Sequence, residues 1–414
     1  MPGSAGHYDM DFVHLAGGRP MSATPARRAA HAVVLRTLAG GAFTDRALHG
    51  EAAGLDPRDR ALAKQLAFGT VQRRRTLDFV IAAHADRELD PPVRAALQLG
   101  LFQLLYLDGV ADHAAIGEAV ELAKPSPGHG LVNAVLRKVQ REGVELPADD
   151  TSHGAAIRHS HPDWLAELWW SWLGADEARA LMAANNEPAE LALRVNRLVD
   201  LDLSAIPGDR RRDAIVLTGR FDALADPGYA AGAFTPQSRA SQLVSEVLDP
   251  QPGERVLDLC AAPGGKTTDI AARMGAAGEV VAVERHEQRA RALAQTCLRM
   301  GATNVEVVCA DARAYDGAGG FDRVLLDAPC SGLGTLRSHP DIRWRATPEG
   351  IERLAALQDE LLVAARAALA PGGRLVYSVC TLSPSEERLA GGDVRRTLPH
   401  RDGTDGFYIC ADGG

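Results

Sequence analysis

Two cysteines stand where apolar runs give way to turns. Cys330 follows Leu325-Leu326-Asp327-Ala328-Pro329, and Cys380 follows Val376-Tyr377-Ser378-Val379. A thiolate is a strong nucleophile, and side chains just past a strand end face the crevice in which α/β sheets bind ligands. Buried cysteines acting as small hydrophobes are the alternative, and that reading suits Cys297 and Cys309 better. A thiolate needs a cation nearby, and Lys266 is the nearest candidate among the motifs. Lys266 lies in Val256-Leu257-Asp258-Leu259-Cys260-Ala261-Ala262-Pro263-Gly264-Gly265-Lys266-Thr267-Thr268, which reads as strand, tight turn and helix N-terminus. Free backbone N–H groups there receive an anionic or polar ligand group. A phosphate-binding loop would need glycine where Cys260 stands, and the dinucleotide fingerprint G-x-G-x-x-G is absent. The remaining common user of such a turn is S-adenosylmethionine. Three acids have matching positions. Glu284, closing Val280-Val281-Ala282-Val283, can accept from both ribose hydroxyls. Asp311 is placed to accept from an adenine amino group, and Asp327 to hold the methionine ammonium or a target base.

The elements that must position these residues alternate from about residue 240 onward. Strands are expected over 255–260, 279–284, 305–310, 323–328, 374–379 and 405–410, with helices between them. That rhythm implies an α/β, doubly wound, Rossmann-like sheet with ligands across the strand ends. The N-terminal part differs. Ala29, Val33, Val34 and Leu38 begin a helical pattern, and further helical segments cover 57–83, 91–107, 113–123 and 128–141. Pro91 and Pro92 suit a helix start and Gly109 a stop. Residues 22–145 therefore read as all-helical. In 146–235 four of the five tryptophans, Trp164, Trp169, Trp170 and Trp172, take helical spacing, which core packing or docking explains. A strand at 191–196 and a short α/β segment follow, forming a small linker subdomain ahead of 236–414. Residues 1–21 lack periodicity and read as a disordered tail, with Met21 a candidate natural start.

With 414 residues and 46% apolar content, the chain holds two or three domains with ample core. No apolar run reaches the ~18 residues of a membrane span, and no secretory signal is visible. All six cysteines lie in the C-terminal half without a C-x-x-C pair, which fits reduced cytoplasmic thiols and no metal site. The net charge of −9 argues mildly against nucleic acid, although local potential governs phosphate contacts. Basic clusters occur at Arg73-Arg74-Arg75, Arg137-Lys138 and Arg210-Arg211-Arg212, each of which is also compatible with a solvated face.

Taken together, DLCAAPGGKTT, LLDAPCSGLGTLRSHPDIRW (325–344) and LVYSVCTLSPSEE (375–387) resemble the Sun/RsmB-type RNA (cytosine-5)-methyltransferases. FGTVQRRRTLD, LQLGLFQLLYLDGVADHAAIGEAVELAK and GLVNAVLRKV resemble the NusB-like RNA-binding domain that precedes some bacterial rRNA methyltransferases. The segment before 236 is similar to the family's linker subdomain, and Phe234 to Ser238 to its lead-in toward the donor pocket. The resemblance implies a class I methyltransferase domain that takes S-adenosylmethionine against Cys260, Ala261, Ala262, Pro263, Gly264, Gly265, Lys266, Glu284, Asp311 and Asp327. It implies that Cys380 is the nucleophile on cytosine carbon 6, Cys330 the group that assists release, and Asp327 a partner of the cytosine ring. Small-subunit ribosomal RNA is the expected substrate of a cytoplasmic monomer without membrane contact. Transfer RNA is second, and a non-catalytic RNA-binding scaffold or a small-molecule methyltransferase stand as other classes. Two departures stand out. Val379 occupies a position where the family usually has Thr, and 24 residues (381–404) precede the last expected strand, fewer than usual. The final helix is therefore expected to be short or missing.

Overall fold

The computed structural model describes residues 22–85, 88–219, 221–317, 319–389 and 391–413; the expected tail and Met21 lie outside them. The chain divides into two compact units at Glu145/Leu146.

The first unit is helical throughout its described residues: α1 (Pro25–Leu38), α2 (Thr44–Glu51), α3 (Pro57–Gln72), α4 (Arg74–Ala82), α5 (Pro91–Tyr106), α6 (Asp112–Ala123) and α7 (His129–Glu142). Proline opens α1, α3 and α5, where its missing N–H costs nothing. The centre is α5, whose Leu97, Leu99 and Leu101 are fully buried. Each such side chain contributes about 1.5–3 kcal/mol through burial. Arg27 ties α1 to its neighbours by donating to Gln103 at 2.6 Å and pairing with Glu118 at 3.0 Å. The single helix expected over 57–83 is two. Arg73 leaves helical geometry (φ −93°, ψ 10°), and its guanidinium lies 4.5 Å from the Tyr106 ring centre.

The second unit opens with α8 (Ser152–Arg158), α9 (Asp163–Leu173) and α10 (Ala175–Ala184). Trp169 on α9 is fully buried, and its indole N–H donates to the Leu382 carbonyl at 2.9 Å. A small antiparallel sheet follows, from β1 (Ala192–Val195), β2 (Gly208–Arg211), β3 (Ala214–Leu217) and, after α11 (Pro227–Ala230), β4 (Phe234–Pro236), in the order β2-β3-β1-β4. This segment is more strand-rich than its sequence suggested, because the exposed basic cluster Arg210-Arg211-Arg212 forms the tip of the β2–β3 hairpin.

The large sheet comprises β5 (Arg255–Asp258), β6 (Glu279–Glu284), β7 (Val305–Cys309), β8 (Phe321–Asp327), β9 (Leu369–Val379), β10 (Asp393–Thr397) and β11 (Phe407–Gly413). Its order is β10-β11-β9-β8-β5-β6-β7, parallel from β7 to β9 and antiparallel beyond. Helices α12 (Arg239–Leu248), α13 (Gly265–Met274), α14 (Glu287–Arg299), α15 (Ile342–Arg345), α16 (Pro348–Ala368) and α17 (Pro399–Asp402) complete the unit. Val256, Val280, Leu325 and Val376 pack on one face with Val244, Ile270 and Leu293, while Leu257, Val281, Leu326 and Leu375 meet Leu361, Leu362 and Ala365 on the other. Burial on both faces is why the parallel strands read as continuous apolar runs.

One expectation needs correction. Between β7 and β8 the described residues form only one 3-10 turn, Ala312–Ala314, not a helix. After Cys380 the final helix is short, as expected: the chain makes a 3-10 turn, the unforeseen edge strand β10 and the one-turn α17 before β11. The sequence concealed β10 because four of its five residues are exposed and polar or charged apart from Val394.

Candidate active site

Strand order reverses around β5, with β6 and β7 on one side and β8 and β9 on the other, so the crevice opens where β5, β6, β8 and β9 end. One pocket there, about 340 Å³, is lined by Cys260, Ala262, Glu284, Asp311, Asp327, Cys330 and Cys380 among others. The structure thus brings these seven sequence-derived candidates together. Ala261, Pro263, Gly264, Gly265 and Lys266 do not line that pocket but form the adjoining turn and the start of α13. Gly264 is required there. Its φ is +104°, and a Cβ would stand 2.7 Å from the Leu293 side chain.

The turn is held from below by side chains that sequence reasoning did not single out. Asp258 is buried, accepts from the Thr267 hydroxyl at 2.7 Å and has one oxygen without a partner. Burial, opposed by the Thr267 hydrogen bond and reinforced by the charge of Asp327, pushes its carboxyl up to about 7. Arg194 reaches from β1 to donate to Gln237 and to the Thr268 hydroxyl, both at 2.8 Å, joining the small sheet to the first turn of α13. Burial pushes the Cys260 thiol far up, and its side chain lines the pocket.

At the β6 and β7 ends the carboxylates are disposed for a polar ligand. Glu284 is 4% exposed and accepts from the His286 N–H at 2.9 Å, with Arg289 3.4 Å away. Asp311 accepts from the backbone and guanidinium of Arg313, which lowers its carboxyl to about 2. Leu259, Ala312, Pro329 and Leu361 supply apolar wall to the same pocket. Two acids beside apolar walls in a space of this size fit a nucleoside: acceptors for hydroxyl and amino groups, and a dry surface for a flat base.

At the β8 and β9 ends the polar groups already engage one another. Lys266 donates to Asp327 at 2.7 Å, and Ser378 donates to the other Asp327 oxygen at 2.6 Å. Burial opposes the charge on Lys266, but Asp327 and the neighbouring Cys380 outweigh it and the ammonium is held above its ordinary pKa. The Cys330 and Cys380 sulfurs are 3.4 Å apart. Contact with Cys380 first, and burial second, raises the Cys330 thiol well above its ordinary value. Gly334 draws the Cys330 loop onto the Cys380 turn, its N–H donating to the Cys380 carbonyl at 3.0 Å; a Cβ there would overlap the Gly406 carbonyl. Val379, in place of the expected Thr, is fully buried in the same apolar cluster as Leu257 and Leu326 and needs no hydroxyl partner.

Comparison with known proteins gives this geometry its family. The model of the 16S rRNA methyltransferases RsmB/F matches residues 245–393, the NusB family model residues 24–141, and the ferredoxin-like domain model of RsmF/B-like methyltransferases residues 161–201. A probable ribosomal RNA small subunit methyltransferase B from Synechocystis is 40% identical over 356 residues, 80% of each chain. Ribosomal RNA small subunit methyltransferase B from Vibrio cholerae is 36% identical over 393 residues, covering 86% of this chain and 89% of that one. In fold, the solved protein PH0851 is similar with a TM-score of 0.77 and 24% identity, over 95% of this chain and 99% of that one. The chain belongs to the RsmB/F family of 16S rRNA methyltransferases.

Proposed function

We propose that the protein methylates carbon 5 of a cytosine in small-subunit ribosomal RNA through a covalent Cys380 adduct, acting as a cytoplasmic monomer. The observation that carries this reading is the pair of thiols 3.4 Å apart lining the pocket, with the Lys266–Asp327 pair close by. Residues 260–266 with Glu284, Asp311 and Asp327 would hold S-adenosylmethionine, which would supply the methyl group to carbon 5 from a sulfonium sulfur that keeps the bonding pair and leaves as a neutral thioether.

Carbon 5 of cytosine is a poor nucleophile until a group adds at carbon 6. Cys380, as thiolate, makes that bond, and the displaced electron pair collects at carbon 5. Two charges at 3.4 Å do not coexist, so Cys330 stays protonated while Cys380 is ionised. Once Cys380 is bonded to carbon its charge is gone, and Cys330 is free to ionise. It then takes the proton from methylated carbon 5, and the returning pair expels Cys380. Lys266 stabilises the first thiolate. Each Asp327 oxygen keeps a lone pair beyond its bond to Lys266 or Ser378, enough to accept from the cytosine amino group. The helical unit is assigned to RNA binding, supported by the NusB match and by exposed Arg137 and Lys138 on α7.

Bisulfite sequencing of ribosomal and transfer RNA, from cells with and without the protein, tests the reading. One 16S cytosine should lose its protection when the protein is absent. Loss confined to a transfer RNA would move the substrate, and no loss in either would overturn the reaction.

A further inference from the structure

We infer that Glu386 is a positioning residue that sets the distance between the two cysteine-bearing turns, an inference resting on the cysteine roles proposed above. Glu386 closes the 3-10 turn Pro384–Glu386 and is fully buried. No Lys, Arg or His among the described residues pairs with it. A buried carboxylate without a cation is costly unless several donors converge on it. Here two N–H donors and two hydroxyls converge. One oxygen accepts from the Ser331 N–H at 2.8 Å and the Gln358 amide at 3.1 Å; the other lies against the Thr381 hydroxyl at 3.1 Å and the Ser331 hydroxyl.

These donors are the immediate neighbours of the reacting groups. Ser331 follows Cys330, and Thr381 follows Cys380. The contacts form two consecutive rungs, sulfur to sulfur at 3.4 Å and hydroxyl to hydroxyl at 2.6 Å, and Glu386 caps the second. Gln358 extends the clamp by donating to the Pro329 carbonyl at 2.9 Å, on the other side of Cys330. Tyr377 fixes the clamp itself through its hydroxyl, which donates to the Glu386 carbonyl at 2.7 Å. The Ser331 and Thr381 hydroxyls hold two protons for three oxygen–oxygen contacts, so two of those contacts are hydrogen bonds at any one time, and both turns are drawn to one point. No covalent bond joins the sulfurs; the clamp sets how closely they meet.

Thiol cross-linking reads that separation without any methyl transfer. Diamide takes up two thiol protons and two electrons as the Cys330–Cys380 bond forms, and the product joins tryptic peptides 324–337 and 375–388, which mass spectrometry quantifies. In the full chain without RNA, Glu386→Ala should cross-link at least about fivefold more slowly than wild type, because the reacting sulfurs no longer meet. Its kcat should fall about tenfold or more while donor KM stays within about twofold, since the donor residues lie elsewhere. Glu386→Gln keeps one acceptor and loses the other, so it should fall between the two; if the alanine variant does not fold, the glutamine variant decides. Unchanged cross-linking in a variant that binds donor normally overturns the clamp. A wild type that cross-links readily yet methylates no cytosine would instead overturn the proposed reaction and leave the clamp supported.

Discussion

The two ends of the crevice are built on opposite plans. Where β8 and β9 end, the polar side chains are largely withdrawn from water and bonded to one another, as in Lys266–Asp327–Ser378 and Ser331–Glu386–Thr381. Where β7 ends, Asp311 is a third exposed and its partner Arg313 more so, and that pairing competes with water. Glu284 lies between the extremes, buried but bonded only to a backbone N–H and a distant, exposed arginine. Groups that must hold reacting atoms still are locked by protein partners before any ligand arrives. Groups that must exchange a partner for a ligand keep that partner in solvent, where releasing it costs little.

The sharpest way to break this contrast is at Lys266. Lys266→Met strips the thiolate of its cation and leaves Asp327 unpaired, and single-turnover methyl transfer should fall about 10²–10³-fold. Near-normal turnover would mean that the locked end serves stability alone. A second test concerns Asp258 beneath the turn. A carboxyl whose pKa rises on folding binds its proton more tightly in the native state than in the unfolded chain. Its contribution is complete below the unfolded pKa of about 4 and is lost as pH climbs through the folded value of about 7. Thermal melts should show Asp258→Asn gaining on wild type by about 2–3 kcal/mol between pH 5 and about 8; parallel profiles would refute the shift.

Smaller effects are expected at the open end. Asp311→Ala should weaken donor affinity by about 1–3 kcal/mol in calorimetry, and unchanged affinity would remove Asp311 from the site. Arg313→Ala should alter stability by less than about 0.5 kcal/mol, because its pairs with Asp311 and Glu360 are solvent-screened. A larger loss would show that the open end is also structural.

Much of the fold was legible for a physical reason. Parallel strands buried on both faces leave unbroken apolar runs such as Val280 to Val283, and Pro263, Gly264 and Pro329 punctuate their ends. Candidate residues followed from those ends. What stayed hidden depends on distance or exposure. Nothing local marks Ser378 as a donor to Asp327, or Glu386 as the meeting point of Ser331, 55 positions away. Asp258 read as the last residue of an apolar run, and only tertiary burial makes its charge costly. The edge strand β10 faces water along most of its length and carries no apolar signature, and the break at Arg73 interrupts a pattern that looks helical throughout.

In the proposed reaction Cys380 attacks and Cys330 releases, and denaturing gels of the two single variants with RNA and donor test those roles most directly. Cys380→Ala cannot form the bond to carbon 6 and should give neither methylated RNA nor a slow protein–RNA band. Cys330→Ala should still attack and transfer the methyl group, then stall as a persistent, RNase-sensitive band. Thermal melts beside the gels would expose a merely structural role, with both variants losing about 2 kcal/mol or more from cavities. A stable adduct from Cys380→Ala would reverse the assignment, and no adduct from either variant would contradict it.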